Sequence, residues 1–171
     1  VHPAGPADDV VTTLTADLCE AGFDSQPDED IIATKRGKLL GNLGNVVQAL
    51  GARDALRKDF VDDVVAEGVA CFEAAGLKFA AVDQIRARAK GVKNMPVDGA
   101  PRPGGSTWQS MARGRFVETP YLNGEIVRLG LTLGIPTPLN AALTALALEP
   151  GPPARYDAAT LARLLDERTP S

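Results

Sequence analysis

Apolar residues recur along this chain at intervals of three and four positions, and nowhere do they alternate with polar residues over the length of a strand. This spacing predicts helices, and glycine or proline residues mark the ends of most of them. Beyond the helices, we expect a short extended piece at residues 23–25 and a loop rich in proline and glycine at 91–105. The chain is therefore predicted to be all-α, with helices at about 9–21, 34–50, 58–75, 82–89, 106–112, 119–134 and 140–148, and a last helix capped by Tyr156-Asp157.

The composition indicates an ordinary globular domain and argues against two classes of partner. A chain of 171 residues, 44% hydrophobic and 23% charged, is long enough to bury a substantial core. The net charge is −4 and no basic patch is visible, which argues against nucleic acid. No apolar run is long enough to cross a bilayer, and the first residues lack the pattern of a secretion signal. We expect a cytoplasmic protein that binds neither nucleic acid nor membrane.

The cysteines and the histidine do not predict a metal site. Cys19 and Cys71 each lie within an apolar helical pattern, which predicts two buried thiols in a reducing compartment rather than a disulfide. His2 is the single histidine, and no cysteine pair has the spacing of a zinc site. We expect no bound metal and no role for His2.

The predicted helix at 34–50 is mostly apolar but carries one polar line. Lys38, Asn42 and Asn45 are spaced i, i+4 and i+7, which places them on one face of a helix. Burying such groups without partners costs several kcal/mol, and a polar ligand in a cleft would supply partners. The alternative is that Lys38 points to solvent and the asparagines pair with a neighbouring loop. On this stretch alone the alternative is favoured, because a charge on a helix is usually solvated.

A second group of polar side chains follows the predicted loop. Glu118 lies at a helix start, where the helix dipole favours a carboxylate. Each member also has a structural interpretation: Ser106 as a helix cap, Arg113 and Glu118 as a surface pair, and Asn123 in a local hydrogen bond. Spacing alone does not choose between the two interpretations. The group comprises Ser106, Gln109, Arg113, Arg115, Glu118 and Asn123.

Together the two stretches resemble the C-terminal half of the ketopantoate reductases (2-dehydropantoate 2-reductases), over about residues 8–148. The resemblance implies a helical bundle of the type that forms the C-terminal domain of 6-phosphogluconate dehydrogenase, placed after a Rossmann domain that binds NADPH. The matching motifs are Lys38-Leu-Leu-Gly-Asn42, Ser106-Thr-Trp-Gln-Ser-Met, Arg115-Phe-Val-Glu118-Thr-Pro-Tyr121-Leu-Asn123-Gly-Glu-Ile and Gly134-Ile-Pro-Thr-Pro138-Leu-Asn140.

The resemblance also implies roles for individual residues in the reduction of ketopantoate to pantoate, a step of pantothenate biosynthesis. Lys38 would donate a proton to the ketone oxygen, and Glu118 would bind a hydroxyl group and orient Lys38. The substrate-binding residues would be Asn42, Asn45, Ser106 and Asn123. Two positions depart from the family pattern: Val46 stands where a second asparagine is common, and Glu118-Thr-Pro120-Tyr121 replaces Glu-x-Asp-Tyr.

The sequence contains no Gly-x-Gly-x-x-Gly after a strand, so no residue is assigned to cofactor binding. By resemblance, residues 1–33 are the end of a nucleotide-binding domain with its linker, and 34–171 the helical substrate-binding and catalytic domain. We expect half of a two-domain reductase, inactive alone, that needs a Rossmann domain in cis or in trans and could form a homodimer. The alternative, favoured by the missing motif and by Pro120, is a non-catalytic helical module for dimerisation or docking.

Overall fold

A computed structural model describes residues 9–52, 58–88 and 104–168, and over these residues the regular structure is helical with no β-strand. The all-α prediction is therefore confirmed, and residues 23–25 form no strand. His2 and residues 91–103 of the predicted loop lie outside the described residues. The helices are α1 (Asp9–Glu20), α2 (Ile31–Asn42), α3 (Asn45–Leu50), α4 (Lys58–Ala74), α5 (Val82–Arg88), α6 (Ser106–Ala112), α7 (Asn123–Leu133), α8 (Pro138–Leu148) and α9 (Ala158–Arg168), with a short 3₁₀ helix at Thr119–Tyr121.

The core forms where α2 and α3 pack against α4, α7 and α8. Gly68 marks the closest approach in this core, because a Cβ atom on it would lie 2.7 Å from Leu40 Cδ2 and 2.9 Å from Leu43 Cδ1. A side chain at this position would have to displace the buried ends of these two leucine side chains. The largest fully buried apolar side chains are Leu40, Leu43, Val46, Val47, Leu50, Val64, Ile126, Leu143 and Leu146.

The prediction of one continuous helix over 34–50 is wrong, because the chain is interrupted between α2 and α3. Leu43 keeps helical dihedral angles, but its N–H donates to Leu40 O at 3.2 Å, three residues back, which tightens the turn. Gly44 packs closely on α4, since a Cβ atom there would lie 2.8 Å from Val61 Cγ1. Lys38 and Asn42 consequently lie on α2, whereas Asn45 begins α3.

Three further expectations are corrected. Gly105, not Ser106, is the N-cap residue of α6, and Ser106 is its first helical residue. The predicted helix at 119–134 is divided at Leu122, whose φ of −109° and ψ of −85° are not helical. Cys19 is exposed rather than buried, although neither cysteine forms a disulfide. Cys71 is buried as predicted. Its burial is the larger cause, and the negative charge of the nearby Glu67 carboxylate the smaller cause, of a raised pKa of its thiol.

Helix α1 contributes nothing to the buried core. None of its residues is buried, and Val10 and Leu14 are 71% and 56% exposed. Val10 and Leu14, four residues apart on one face of α1, therefore form an apolar stripe that is uncovered in the described structure. No helix among the described residues is both long enough and apolar enough to cross a membrane.

A buried polar network joins three helices, α4, α7 and α8, across this core. Glu67 of α4 accepts hydrogen bonds from the backbone N–H groups of Leu139 and Asn140, at 2.8 and 2.9 Å, and so caps α8, whose own N-cap residue provides no side-chain bond. The Asn140 amide donates to Glu67 Oε2 at 2.7 Å and to Val64 O at 3.0 Å. Its Oδ1 accepts a hydrogen bond from Asn123 Nδ2 at 2.9 Å. The network holds α7 and α8 against α4.

Asp157 caps α9, as the sequence predicts, and its titration gives a testable pH dependence. Its Oδ1 accepts from Thr160 N at 2.7 Å, and this backbone bond, followed by a bond from the Thr160 side chain, lowers the pKa of the carboxyl. Because the folded pKa is lowered, the cap stabilises the fold above the ordinary value of 3.8, and the stabilisation is lost as the pH falls through the folded value.

We expect Asp157→Ala to lower the melting temperature at about pH 7 and the difference from wild type to shrink below about pH 4. Thermal melts followed by circular dichroism across this range measure the effect. Asp157→Asn keeps an acceptor without the charge, so its melting-temperature difference from Asp157→Ala should not change with pH. A difference between wild type and Asp157→Ala that is the same at every pH would contradict the assignment.

Candidate functional site

Two hydrogen bonds between side chains and backbone bring the polar stretches of the sequence together. Asn123 Nδ2, at the start of α7, donates to Leu43 O at 3.1 Å. Gln48 Oε1 on α3 accepts from Gly105 N, just before α6, at 3.1 Å. The junction of α2 and α3 is thus joined to the stretch that carries Glu118 and to the one that carries Ser106.

Lys38 lies on α2 with its side chain exposed. It precedes Leu43 by five residues, which corresponds to about 7.5 Å along a helix axis. Its neighbour Gly37 packs directly on the chain before α5, since a Cβ atom there would lie 2.3 Å from Ala80 O. This contact, with the bond from Ala80 N to Ala33 O at 2.9 Å, fixes the face of α2 beside Lys38.

Glu118 is exposed at the entrance to the 3₁₀ helix, where its backbone carbonyl accepts from Tyr121 N at 2.8 Å. Over the described ranges, no ion pair within 4.0 Å joins its carboxylate to the Lys38 ammonium or to Arg113. The surface pair of Arg113 and Glu118 is therefore not formed. Lys38 and Glu118 both remain available to a ligand in this structure.

Asn42 and Asn45 are half-buried, and their carboxamides have no hydrogen-bond partner in the described part of the chain. The alternative in which they pair with a neighbouring loop is not seen among these residues. A half-buried amide without a protein partner retains its donors and its acceptor for another molecule. Leu43 and Gly44, which separate Asn42 from Asn45, both keep helical dihedral angles.

Ser106 is exposed on the first turn of α6, and the chain before it is fixed from both sides. Gln48 holds Gly105, and Gln109 Nε2 donates to Gly104 O at 3.1 Å. Gly104 has no room for a side chain, because a Cβ atom would lie 2.5 Å from Trp108 Cγ, and a Cβ atom on Gly105 would lie 2.7 Å from Gln48 Oε1 and displace it. Gln48 was missed in the sequence, where its only signal is its position three residues after Asn45.

Asn123 differs from the other predicted site residues because it is part of the core. Its side chain is 1% exposed, and its amide nitrogen binds Leu43 O and Asn140 Oδ1. Its Oδ1 has no partner in the described structure. The placement favours a structural role in joining α7 to α2 and α8.

The described residues do not fit a dinucleotide or a metal ion. Nucleotide cradles of the Rossmann type are built at the end of a strand that leads into a helix, and the described ranges contain no strand. They also contain no group of three or more histidine, cysteine, aspartate or glutamate side chains arranged to bind a metal. What this part of the chain offers is a cation, a carboxylate, a hydroxyl and unpaired amides, which together suit a small polar substrate.

Comparison with known proteins gives one family. The ketopantoate reductase PanE/ApbA C-terminal family matches residues 30–149. No curated protein sequence matches the chain. A PanE/ApbA family ketopantoate reductase from Ralstonia eutropha JMP134 has a similar structure, with a TM-score of 0.60 and 28% identity, over 92% of this chain and 49% of its own.

Two further solved structures share the fold. The 2-dehydropantoate 2-reductase from Methylococcus capsulatus has a TM-score of 0.63 at 24% identity, over 98% of this chain and 49% of its own. D-mandelate dehydrogenase, solved with NADH, has a TM-score of 0.61 at 20% identity, over 83% of this chain and 50% of its own. The chain therefore spans about half the length of each of these three structures.

Proposed function

We propose a function for this chain from its membership of the family of ketopantoate reductase C-terminal domains. The chain is the substrate-binding and catalytic half of an NADPH-dependent reductase that converts 2-dehydropantoate, or a similar 2-keto acid, to the hydroxy acid. The observation that carries the proposal is the group formed by exposed Lys38 and the half-buried, unpaired amides of Asn42 and Asn45. The stretches that carry Ser106 and Glu118 are hydrogen-bonded to the same pair of helices.

The chemistry follows from the charge that develops during reduction. A ketone oxygen gains negative charge as the carbonyl is reduced, and the Lys38 ammonium can stabilise that charge and then supply the proton. Glu118 accepts a hydrogen bond from a substrate hydroxyl and helps to orient Lys38. Asn42, Asn45 and Ser106 bind the remaining polar atoms, including the carboxylate. Asn123 contributes indirectly in this proposal, by holding the end of α2.

The nucleotide is assigned to another domain, because the described residues of this chain do not fit it. In this proposal residues 1–33 are the end of that nucleotide-binding domain with its linker, the Rossmann domain itself is supplied in cis or in trans, and 34–171 are the substrate domain. The exposed stripe of Val10 and Leu14 supports this assignment, since an uncovered apolar stripe favours association. The same stripe favours the second candidate, a helical module that docks or dimerises without catalysis.

A titration of the chain with 2-dehydropantoate tests the proposal without the cofactor. We expect the backbone amide signals of residues 38–45, 105–107 and 118–123 to shift together in two-dimensional NMR spectra. Asn42→Ala should weaken binding about fivefold, as expected for one lost hydrogen bond of roughly 1 kcal/mol. Gln26→Ala removes an exposed amide before α2 and should leave the affinity for 2-dehydropantoate unchanged. Shifts in only one of the three stretches, or equal binding by Asn42→Ala, would leave the docking module as the better description.

A further inference from the structure

A cavity at a distance from Lys38 in the sequence lies between the turn after α6 and the end of α8. Its volume is about 320 Å³, within the usual range for small-molecule sites. Met111, Val117 and Ala147 form buried apolar wall, and Phe116 and Leu148 extend that wall to the surface. None of Lys38, Asn42, Asn45, Ser106, Glu118 or Asn123 lines it.

The exposed parts of this wall are unusual for a protein surface. Phe116 is 65% exposed and Leu148 is 57% exposed. Both residues line the cavity. Tyr121 packs beside Phe116 with ring centroids 6.0 Å apart, and it too is largely exposed. Large apolar side chains grouped at one cavity mark a place where an apolar group binds.

The charges at the cavity determine which kind of apolar molecule fits. Arg115 and Glu149 are its two charged lining residues. Glu149 is already neutralised by Arg168, whose Nη2 lies 2.8 Å from Glu149 Oε1. The Arg115 guanidinium has no hydrogen-bond or ion-pair partner over the described ranges. One cation therefore remains uncompensated beside the apolar wall.

The C-terminal end of α8 does not prevent an anion from binding beside Arg115. Carbonyl groups at a helix C-terminus carry partial negative charge and disfavour anions. Here the Arg155 guanidinium donates to Leu146 O at 2.7 Å and to Glu149 O at 3.2 Å, which satisfies two of these carbonyls. We propose that this cavity binds a small carboxylate with an apolar tail, paired to Arg115, at a site separate from the one around Lys38.

Hexanoate is a suitable probe, because it has the charge and the tail but no keto group. In NMR titrations of the full chain we expect its binding, with a Kd of roughly millimolar order, to shift the amide signals of residues 111–117 and 147–151. Hexanol should bind more weakly and hexylammonium more weakly still. Arg115→Gln should weaken hexanoate binding at least about fivefold and leave hexanol binding unchanged. Phe116→Ala should weaken both.

Arg113→Gln is the matched control, because Arg113 is an exposed arginine in the same turn that does not line the cavity. Equal hexanoate binding by wild type and Arg115→Gln would overturn the proposal, as would signals that move only around Lys38. Loss of hexanoate binding in Lys38→Ala would overturn it too, by placing the carboxylate in the other site. A failed 2-dehydropantoate titration with intact hexanoate binding would count against the proposed reductase function alone.

Discussion

Replacing Asn140 by alanine is expected to lower the free energy of unfolding by about 3–4 kcal/mol, a large share of the stability of a domain of this size. The side chain is fully buried and takes part in three hydrogen bonds, with Val64 O, Glu67 Oε2 and Asn123 Nδ2. Alanine would leave the Asn123 amide with one partner and the half-buried Glu67 carboxylate with one fewer donor. Chemical denaturation followed by circular dichroism measures the change.

The control makes the same substitution on an asparagine that lacks partners. Asn42→Ala removes a half-buried amide with no hydrogen bond in the described part of the chain, so it should change stability by less than about 0.5 kcal/mol. Asn140→Asp should be at least as destabilising as Asn140→Ala, because a second carboxylate would face Glu67. If Asn140→Ala and Asn42→Ala cost the same, the network would not carry the stability assigned to it.

The same network separates two roles for Asn123. A residue that only contacts substrate affects ligand affinity without affecting folding, whereas Asn123 is buried and bonded to Leu43 O and Asn140 Oδ1. Its position at the start of α7, inside the core, accounts for the difference. The family motif predicts that an asparagine stands here, and the structure shows which protein atoms it binds.

Most of the fold could be predicted from the spacing of apolar residues, and the errors have local causes. The bounds of α4, α5, α6 and α8 fall within two residues of the predicted ones. The apolar spacing does not predict the break at Leu43–Gly44, where Gly44 lies close to Val61 on another helix. Contacts between residues distant in sequence leave no periodic signal. The family resemblance identified from the motifs is confirmed by the match over residues 30–149.

The site could be predicted only in part for the same reason. Lys38 and Asn42 stand out because polar residues interrupt an apolar helical pattern. Glu67 and Gln48 do not, since a charged or polar residue on an amphipathic helix usually faces solvent. Their importance depends on partners at Asn140 and Gly105, which only the folded chain brings near. The roles given to Lys38, Glu118, Asn42, Asn45 and Ser106 remain proposals that depend on ligand binding and activity.

Replacing Lys38 by alanine is expected to lower kcat by roughly 10²- to 10⁴-fold, the contribution of a positioned general acid, once a Rossmann domain is supplied to the chain in cis or in trans. Oxidation of NADPH in the presence of 2-dehydropantoate measures the rate. Lys38→Arg keeps a positive charge but holds its proton too tightly to release it, so it should recover the electrostatic part of the effect and not the proton transfer.

Lys78→Ala is the matched control for Lys38→Ala, because Lys78 is also an exposed lysine and lies outside the proposed site. It should leave kcat unchanged. Because Lys38 is exposed, its replacement should not alter the unfolding free energy by more than about 0.5 kcal/mol, so a lower rate would reflect the chemistry and not the fold. An unchanged rate in Lys38→Ala would remove the general acid from the mechanism, and the exposed stripe on α1 would then point to docking as the function of this domain.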